Sequence, residues 1–463
     1  MAVIGKKVPS APDSDAPPRR IVVKFRRPQQ GGATTDDIVH ENVLQSLAQS
    51  LPGASVQPYF ADTGLATTSD LDEAVPGSGS AFRSFVAVDP PAGTDPVALA
   101  RSIGARDDVE IAYVEGGPTP PPVTPANNPL ASRQGYLNPA PLGIDALWAW
   151  TLADGSGVNF VDVERGWTLD HEDLVAANIS IISGINKDYN GHGTAVLGEV
   201  VGVDNHIGIV GIAPGAKARV VSQWRTATNY QTADAIRNAV QGLRAGDVLL
   251  LEAQTTYSTV AGFLPVEVED VVFTAIRFAT DSGIIVIEAG GNGTNDLDAF
   301  RDTNGRQVLN RASADFRDSG AIMVGAAAAG VPHGRLPFSN FGSRIDCYAW
   351  GEDIQTTGDG WTGNLTNTYT PQFGGTSGAS PIVTGAAILL QSWARERQHN
   401  YAPNDVRTLL SDGALNTPSA NPPVDRIGVM PNLKRIIQQE AQRLASVAAA
   451  AATGAVLAHV GAG

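Results

Sequence analysis

A serine near the end of the chain lies where a nucleophile could be held and activated. Ser377 falls in the stretch Gly374–Pro381 (GGTSGASP), directly before the apolar segment 382–393, which predicts a buried helix. Pro381 suits a first helical turn, whose N–H groups have no intrahelical partners. The unpaired amides and the positive dipole end of a helix favour a reaction that develops an oxyanion. A serine here can equally serve only as a helix N-cap, so the position alone does not decide its role.

Two further residues supply the groups that would activate a serine. Asp162 ends the apolar run 158–161, and His192 lies within Asn190–Ala195 (NGHGTA). A carboxylate, an imidazole and a hydroxyl are the three groups of nucleophilic acyl transfer. Their order along the chain, Asp, His, Ser, is one of three unrelated orders known for this chemistry.

The local sequences resemble those of subtilisin-like serine peptidases, which have this order. Gly375–Pro381 is similar to the serine motif of that family, Gly191–Thr194 (GHGT) to its histidine motif, and Ala289–Gly293 (AGGNG) to the stretch that carries its oxyanion asparagine. The resemblance extends over about residues 137–440. It implies a serine endopeptidase that hydrolyses peptide bonds through an acyl-enzyme, without a catalytic cofactor.

The resemblance also implies a role for each residue. His192 would take the Ser377 proton as general base, and Asp162 would fix the imidazole tautomer and stabilise the imidazolium. Asn292 and the Ser377 backbone N–H would form the oxyanion hole. Cys347 is the only cysteine and is expected to be a buried, inert thiol.

The substrate cleft is where this sequence departs from the family. Members usually carry a Ser-Leu-Gly-Gly-like strand end, whereas here the corresponding stretch is Leu251–Gln254 (LEAQ). Asp162 is also not followed by the common Thr-Gly pair. We expect substrate contacts from two strand ends, at Glu252, Ala253, Gln254, Gly290 and Gly291. Two alternatives stay open: a processing protease for one partner protein, selected by an acidic cleft edge at Glu252 and Glu288, or a catalytically silent peptide-binding homologue.

A structural Ca²⁺ site is also implied by the resemblance. The stretch 203–209 resembles a family loop that supplies backbone carbonyls and an Asn oxygen, and 171–174 resembles the one that gives a carboxylate. The expected ligands are Asp173, Val203, Asn205, Ile207 and Ile209. Such oxygen ligands suit Ca²⁺. A plain glycine turn beside an exposed aspartate is the alternative.

The fold class follows from the pattern of strands and helices. Continuously apolar strands such as 248–251 and 284–287 alternate with helical segments, which predicts a mostly parallel sheet flanked by helices, a subtilisin-like α/β fold. Residues 20–115 instead read as β-α-β-β-α-β, a small ferredoxin-like α+β domain. Inhibitory prodomains of the family have this fold, so the chain is expected to be a zymogen inhibited by its own N-terminal domain. A binding module without an inhibitory role is the alternative.

Composition sets the remaining limits. The chain has 463 residues and a formal charge of -15, with no basic cluster, so no nucleic-acid partner is expected. No membrane segment and no signal peptide are predicted, so we expect a cytoplasmic protein, or an extracellular one exported by a non-standard route. The expected organisation is a disordered N-terminus (1–19), the ferredoxin-like domain (20–115), a Pro-rich linker (116–136), the catalytic domain (137–445) and an Ala-rich tail (446–463).

Overall fold

The computed structural model describes residues 20–26, 44–60, 84–91, 93–115, 123–444 and 446. The chain forms two compact units, residues 1–121 and 122–463, each described by itself below. The predicted N-terminus (1–19) and nearly all of the predicted tail (446–463) lie outside the described residues. In the described part of the chain, no helix has the length and apolar character needed to cross a bilayer.

The N-terminal unit is built on one antiparallel sheet. Its strands are β1 (Ile21–Phe25), β2 (Ser55–Pro58), β3 (Phe85–Asp89) and β4 (Val109–Val114), in the order β2-β3-β1-β4. Helical segments 44–50 and Pro96–Gly104 supply Leu47, Ala100 and Ile103 to a core with Ile21 and Val23 of the central strand. The order places β1 and β3 in the middle, as a β-α-β-β-α-β chain with two crossovers requires.

The larger unit is organised around a nine-stranded sheet. The strands of this sheet are β5 (Asn159–Glu164), β6 (Ser180–Ser183), β7 (Lys217–Ser222), β8 (Val248–Leu251), β11 (Ile285–Ala289), β12 (Ile322–Ala327), β13 (Cys347–Trp350), β16 (Thr417–Pro418) and β17 (Val429–Met430). Their order is β16-β17-β13-β12-β11-β8-β5-β7-β6, parallel throughout except for the β16–β17 pair. The predicted parallel α/β fold is confirmed.

Helices flank the large sheet, and two hairpins lie outside it. The hairpins are β9–β10 (Gln254–Tyr257 and Val260–Pro265) and β14–β15 (Ile354–Thr357 and Tyr369–Phe373). Sequence analysis missed both, because each is a short two-stranded ribbon following a strand end. The α-helices of this unit span Ala146–Ala149, Asn190–Val201, Thr232–Val240, Asp270–Asp281, Thr376–Arg395, Pro403–Ser411, Pro422–Asp425 and 433–444.

Each strand sends alternate side chains to two separate cores. From β8, Val248 and Leu250 join the core that contains the helix Thr376–Arg395, while Leu249 and Leu251 join the core on the other face. This alternation is the ordinary period of two of a β-strand. It decides which polar residues at the strand ends face the Ser377 helix.

The linker is shorter than predicted. Residues 116–122 are not described, but from Val123 onward the chain packs onto the larger unit through short 3₁₀ turns. Tyr136 and Leu137 are buried in its core, and the Leu130 N–H donates to the Gly208 carbonyl at 2.7 Å. The predicted linker boundary at residue 136 is therefore wrong, since apolar side chains at 131–137 have a core to enter.

Candidate active site

Ser377 lies in the first turn of the long helix Thr376–Arg395, as its sequence context predicts. Gly375 precedes the helix at φ 82°, a conformation that favours glycine, so the chain turns sharply into the helix here. Pro381 is the sixth helical residue, so its predicted place in the first turn is wrong. Because proline has no N–H, it supplies no i+4 donor to the Ser377 carbonyl.

Backbone hydrogen bonds and a ring contact fix His192 at the start of the helix Asn190–Val201. Its backbone N–H lies 3.0 Å from the Tyr189 carbonyl and 2.9 Å from the Trp361 carbonyl. Its ring packs edge-on against Phe373, with 5.4 Å between the ring centroids. Burial lowers the pKa of the imidazole, but the charge and hydrogen bond of Glu164 outweigh burial, and the net shift is upward.

The acid beside His192 is Glu164, so the prediction that Asp162 orients the imidazole is wrong. His192 Nδ1 lies 2.6 Å from Glu164 Oε1. Asp162 is fully buried and accepts a 2.7 Å hydrogen bond from the indole Nε1 of Trp167. Burial, and then the nearby charge of Glu164, raise the pKa of Asp162 well above its usual range.

The length of β5 explains why Glu164, and not Asp162, contacts His192. The strand continues two residues beyond Asp162 and ends at Glu164, and residues two apart point to the same face of a sheet. Both carboxyls therefore face the Ser377 helix, but only the one at the strand end reaches His192. A sequence signal was present: Glu164 is followed by Arg165-Gly166, the x-Gly spacing that Asp162 lacks.

Asn292 is tied to the residue that precedes Ser377. Its Oδ1 accepts hydrogen bonds from the Thr376 backbone N–H at 2.9 Å and from Thr376 Oγ1 at 3.1 Å. Among the described residues, Nδ2 has no acceptor within hydrogen-bond distance. The side-chain oxygen of Asn292 therefore points into the protein, and its N–H groups are available to a ligand.

These side chains border one cavity of about 230 Å³, which brings three of the four predicted catalytic residues together. Its lining comprises His192, Gln254, Asn292, Asp359, Gly360, Trp361, Gln372, Phe373, Gly374 and Ser377. Residues 359–361 belong to the connection of the β14–β15 hairpin and were not anticipated. Trp361 is 59% exposed, and its ring packs edge-on against Tyr189.

Only Gln254 among the five predicted substrate-binding residues lines this cavity. Its side chain accepts a hydrogen bond from the Asn292 N–H at 2.9 Å. Gly290 and Gly291 are buried, and their N–H groups donate to the Val324 carbonyl and to Thr376 Oγ1. Both amides are thus used inside the protein.

The predicted acidic cleft edge is wrong as well. Glu252 is 6% exposed and Glu288 fully buried, so neither presents a carboxylate to the cavity rim. Glu252 follows β8 on the face of Leu250, towards the Ser377 helix, and contacts Ser380 Oγ. Glu288 faces the other side of the sheet and accepts a hydrogen bond from the Glu267 N–H. Ala253 is also buried.

The residues predicted to bind Ca²⁺ lie together. Asp173 is buried, its Oδ2 accepts the Ile209 N–H at 2.8 Å, and its carbonyl accepts the Val203 N–H at 2.9 Å. Asn205 Oδ1 accepts the Ile207 N–H at 2.9 Å. Asp173 Oδ1 is buried and has no hydrogen-bond partner among the described residues, and burial raises the pKa of this carboxyl to about 6.

Asn128 is a residue that sequence analysis missed at this loop. Its Nδ2 donates to Asp204 Oδ1 at 2.6 Å, while its Oδ1 is buried and lacks a hydrogen-bond partner within the part of the chain that the structure describes. Two unsatisfied buried oxygens, from Asn128 and Asp173, therefore adjoin the loop 203–209. Buried acceptors without donors carry a desolvation cost that a cation would relieve. No sequence signal marked Asn128, because its role depends on how residues 123–130 fold back.

Two buried carboxyls lie beside His192, and a third lies close to one of them. The ligand atoms of Glu164, His192 and Glu252 lie within 4.8 Å of one another. Glu199, on the His192 helix, is fully buried, and neither of its carboxyl oxygens has a hydrogen-bond partner among the residues described. Burial, and then the nearby Glu252, raise the pKa of Glu199 well above its usual range.

Comparison with known proteins gives one consistent result. Residues 169–463 match the model of the subtilase family (Peptidase_S8). The chain is 29% identical to subtilisin BL of Lederbergia lenta over 263 residues, covering 55% of this chain and 85% of that protein. It is 30% identical to subtilisin DY of Bacillus licheniformis over 269 residues, covering 57% and 85%. Among solved structures, a protease of Pseudoalteromonas arctica superposes with a TM-score of 0.50 at 20% identity, covering 68% of this chain and 99% of that one.

Glu199 gives a pH-dependent stability prediction. A carboxyl with a raised pKa in the folded state contributes stability that is present below its unfolded pKa, near 4.3, and is lost as pH rises. We expect the thermal midpoint of Glu199→Gln to exceed that of the wild type at pH 8, by a margin that shrinks towards pH 4. Calorimetry across this range measures the margin.

A matched control is Asp281→Asn, because the Asp281 side chain is 59% exposed. The thermal midpoint of Asp281→Asn should differ little from that of the wild type at pH 8 and at pH 4. A pH-independent margin for Glu199→Gln would show that Glu199 is ionised in the folded protein.

Proposed function

The chain belongs to the subtilase family and is a serine endopeptidase, and we propose that it cleaves peptide bonds with a triad of Ser377, His192 and Glu164. The observation that carries this assignment is the 2.6 Å contact between His192 Nδ1 and Glu164 Oε1, in a cavity that His192 shares with Ser377. Glu164 thus takes the role that the sequence predicted for Asp162.

In the proposed mechanism, His192 Nε2 removes the Ser377 proton as Oγ attacks the substrate carbonyl. Glu164 holds the proton on Nδ1, which leaves Nε2 as the base, and stabilises the imidazolium that forms. The raised pKa of His192 makes it a stronger base, and its neutral form is lost as pH falls through that value. The imidazolium then protonates the leaving amine, and water hydrolyses the acyl-enzyme by the same steps.

The oxyanion is proposed to be bound by Asn292 Nδ2 and the Ser377 backbone N–H. Support comes from the anchoring of Asn292 Oδ1 by Thr376, which leaves the amide N–H groups free at the cavity. The Ser377 N–H lies in the first helical turn, where it has no intrahelical acceptor. Donors fixed before the reaction avoid reorganisation when charge develops.

The triad assignment predicts different results for two neighbouring carboxyls. Glu164→Gln should lower kcat by about 10⁴-fold, as loss of the acid does in a Ser-His-Asp triad. Asp162→Asn, which can keep an oxygen for the Trp167 bond, should retain most of kcat. Steady-state hydrolysis of a peptide substrate measures both.

The control for chemistry is Ser377→Ala, which should abolish turnover and labelling by a fluorophosphonate while leaving the circular dichroism unchanged. If the wild-type protein fails to react with the label, it is a silent homologue. If Asp162→Asn proves as damaging as Glu164→Gln, the assignment of Glu164 is overturned.

We further propose that Asp173 and the loop 203–209 hold a structural Ca²⁺, with Asn128 Oδ1 as an additional ligand. The proposal rests on the two unsatisfied buried oxygens at this loop. The carboxylate of Asp173, the Asn205 and Asn128 side-chain oxygens, and carbonyls of the loop form an all-oxygen set suited to this ion. When bound, the ion would supply structural stabilisation and no catalytic chemistry.

Calcium should therefore raise the thermal midpoint. An ion that binds only the folded state at a hundredfold excess over its Kd stabilises by about 2.7 kcal/mol. The increase should disappear in Asp173→Asn but persist in Asp170→Asn, whose side chain is exposed. Equal midpoints of the wild type in calcium and in excess chelator would rule the site out.

We also propose that residues 20–115 inhibit the protease by laying the end of β4 into the cavity as a substrate-like strand. Support comes from the strand pattern and from the position of β4, which directly precedes the Pro-rich segment. Ile111 and Tyr113 of β4 point away from the core of their own unit and are 47% and 46% exposed. Tethering would make the inhibition effectively intramolecular, at about millimolar effective concentration.

The test is to produce residues 20–115 and 123–463 separately and titrate the first into the second. Hydrolysis should fall to near zero at saturation, and a Tyr113→Asp variant of the small piece should inhibit more weakly. If the larger piece folds and cleaves at an unchanged rate with saturating small piece, the module is not an inhibitor.

A further inference from the structure

Glu252 is a buried carboxyl that the proposed mechanism leaves without a role. It follows β8, and its backbone N–H lies 3.3 Å from the Val163 carbonyl of β5. Because Val163 pairs with Leu251, Glu164 and Glu252 are the next residues along two adjacent strands. The two carboxyls therefore point from neighbouring strand ends towards the Ser377 helix.

The charged surroundings of Glu252 come from two elements besides its own. Strand β5 contributes Glu164 and Asp162, and the His192 helix contributes His192 and Glu199. His192 is the one group there, among the described residues, whose positive charge favours ionisation of Glu252, and its Nδ1 is already taken by Glu164. Two adjacent buried carboxylates repel each other, so one of them is expected to keep its proton.

The hydrogen bonds show which carboxyl keeps the proton. Glu164 accepts from His192 Nδ1 and, through Oε2, from the Arg165 N–H at 3.3 Å. In the described part of the chain, Glu252 Oε2 is buried without a hydrogen-bond partner, and the one side-chain hydrogen bond of Oε1 is to Ser380 Oγ. Donors therefore stabilise a charge on Glu164, whereas Glu252 lacks them.

Ser380 can donate only one hydrogen bond, because a hydroxyl carries one proton. Its Oγ lies 2.7 Å from the Thr376 carbonyl, which can only accept. If Ser380 donates to that carbonyl, its contact with Glu252 Oε1 is satisfied only by a proton on Glu252. Burial, and then the charge of Glu164, act in the same direction by raising the pKa of Glu252.

We propose that Glu252 is a neutral carboxylic acid in the working enzyme, and that it donates its proton to Ser380 Oγ to fix the first turn of the Ser377 helix. The hydrogen bonds run from Glu252 through Ser380 to the Thr376 carbonyl, and Thr376 in turn donates to Asn292 Oδ1. Glu252 is thus a positioning residue that acts on both sides of the nucleophile. This inference rests on the proposed triad.

The first test compares two substitutions by their pH profiles. Glu252→Gln has an amide N–H that can donate to Ser380, so we expect near wild-type kcat and an acid limb of kcat/KM at unchanged pH. Glu252→Ala has no donor and should lower kcat by roughly ten- to a hundredfold, as a misplaced nucleophile does. Ser380→Ala should act similarly, and the double variant should show no further loss.

If Glu252 is ionised instead, the acid limb of kcat/KM should move in Glu252→Gln. Its charge would raise the pKa of His192 in the wild type, so Glu252→Gln would move the acid limb to lower pH by about one unit. That shift, or equal loss of kcat in Glu252→Gln and Glu252→Ala, overturns the proposal.

A second test needs no activity, so it also separates this inference from the proposed function. The infrared difference spectrum between wild type and Glu252→Gln at neutral pH should contain the C=O stretch of one protonated carboxyl. Carboxylate bands in its place overturn the proposal. If the protein shows no hydrolysis but the protonated band is present, the triad assignment fails while the proton on Glu252 stands.

Discussion

The alternation of side chains along two adjacent parallel strands is the constraint on which the site depends. Strands β5 and β8 pair in register from Phe160–Val248 to Val163–Leu251, so Glu164 and Glu252 leave the sheet side by side. Both face the core that contains the Ser377 helix, while Val161 and Leu249 face the other core. A shift of one residue in either strand would move its carboxyl to the opposite face. The catalytic geometry is therefore fixed by sheet register, which many buried apolar contacts maintain.

This arrangement concentrates acid groups where there is little positive charge to balance them. Asp162, Glu164 and Glu199 are all buried close to Glu252, and Glu164 and Glu252 lie beside the imidazole of His192. Such a cluster is stable only if most of its members are neutral, because isolated buried charges cost several kcal/mol each. Glu164 is the member that shares a proton with His192. The other three carboxyls are then polar but uncharged core residues. Of these, Asp162 is hydrogen-bonded to Trp167 and Glu252 to Ser380.

The sequence was sufficient for the fold class and for three of the four residues predicted to be catalytic, which the structure brings to one cavity. Ser377, His192 and Asn292 were predictable because each sits in a short motif at a strand end or helix start. Asp162 was not correctly assigned, since the decision depends on where β5 ends, and strand ends are the least certain part of a pattern-based prediction. Glu252 and Glu288 were predicted at a cleft edge because they lie at the ends of the strands expected to contact the substrate. Their burial depends on the face each occupies, which only the three-dimensional register determines. Asn128 was missed for a related reason, because its contacts join residues distant in sequence.

The residue that precedes the nucleophile connects these features. The N–H and hydroxyl of Thr376 donate to Asn292 Oδ1. Thr376 Oγ1 also accepts a hydrogen bond from the Gly291 N–H, and the Thr376 carbonyl accepts one from Ser380 Oγ. Every hydrogen-bonding group of this buried residue thus has a partner within the site. Since Ser377 follows directly on the same helical turn, movement of Thr376 would displace the nucleophile and the proposed oxyanion donor together. A loss of kcat after a change at Glu252 or Ser380 would then arise from misplacement of both groups, although neither side chain lines the cavity.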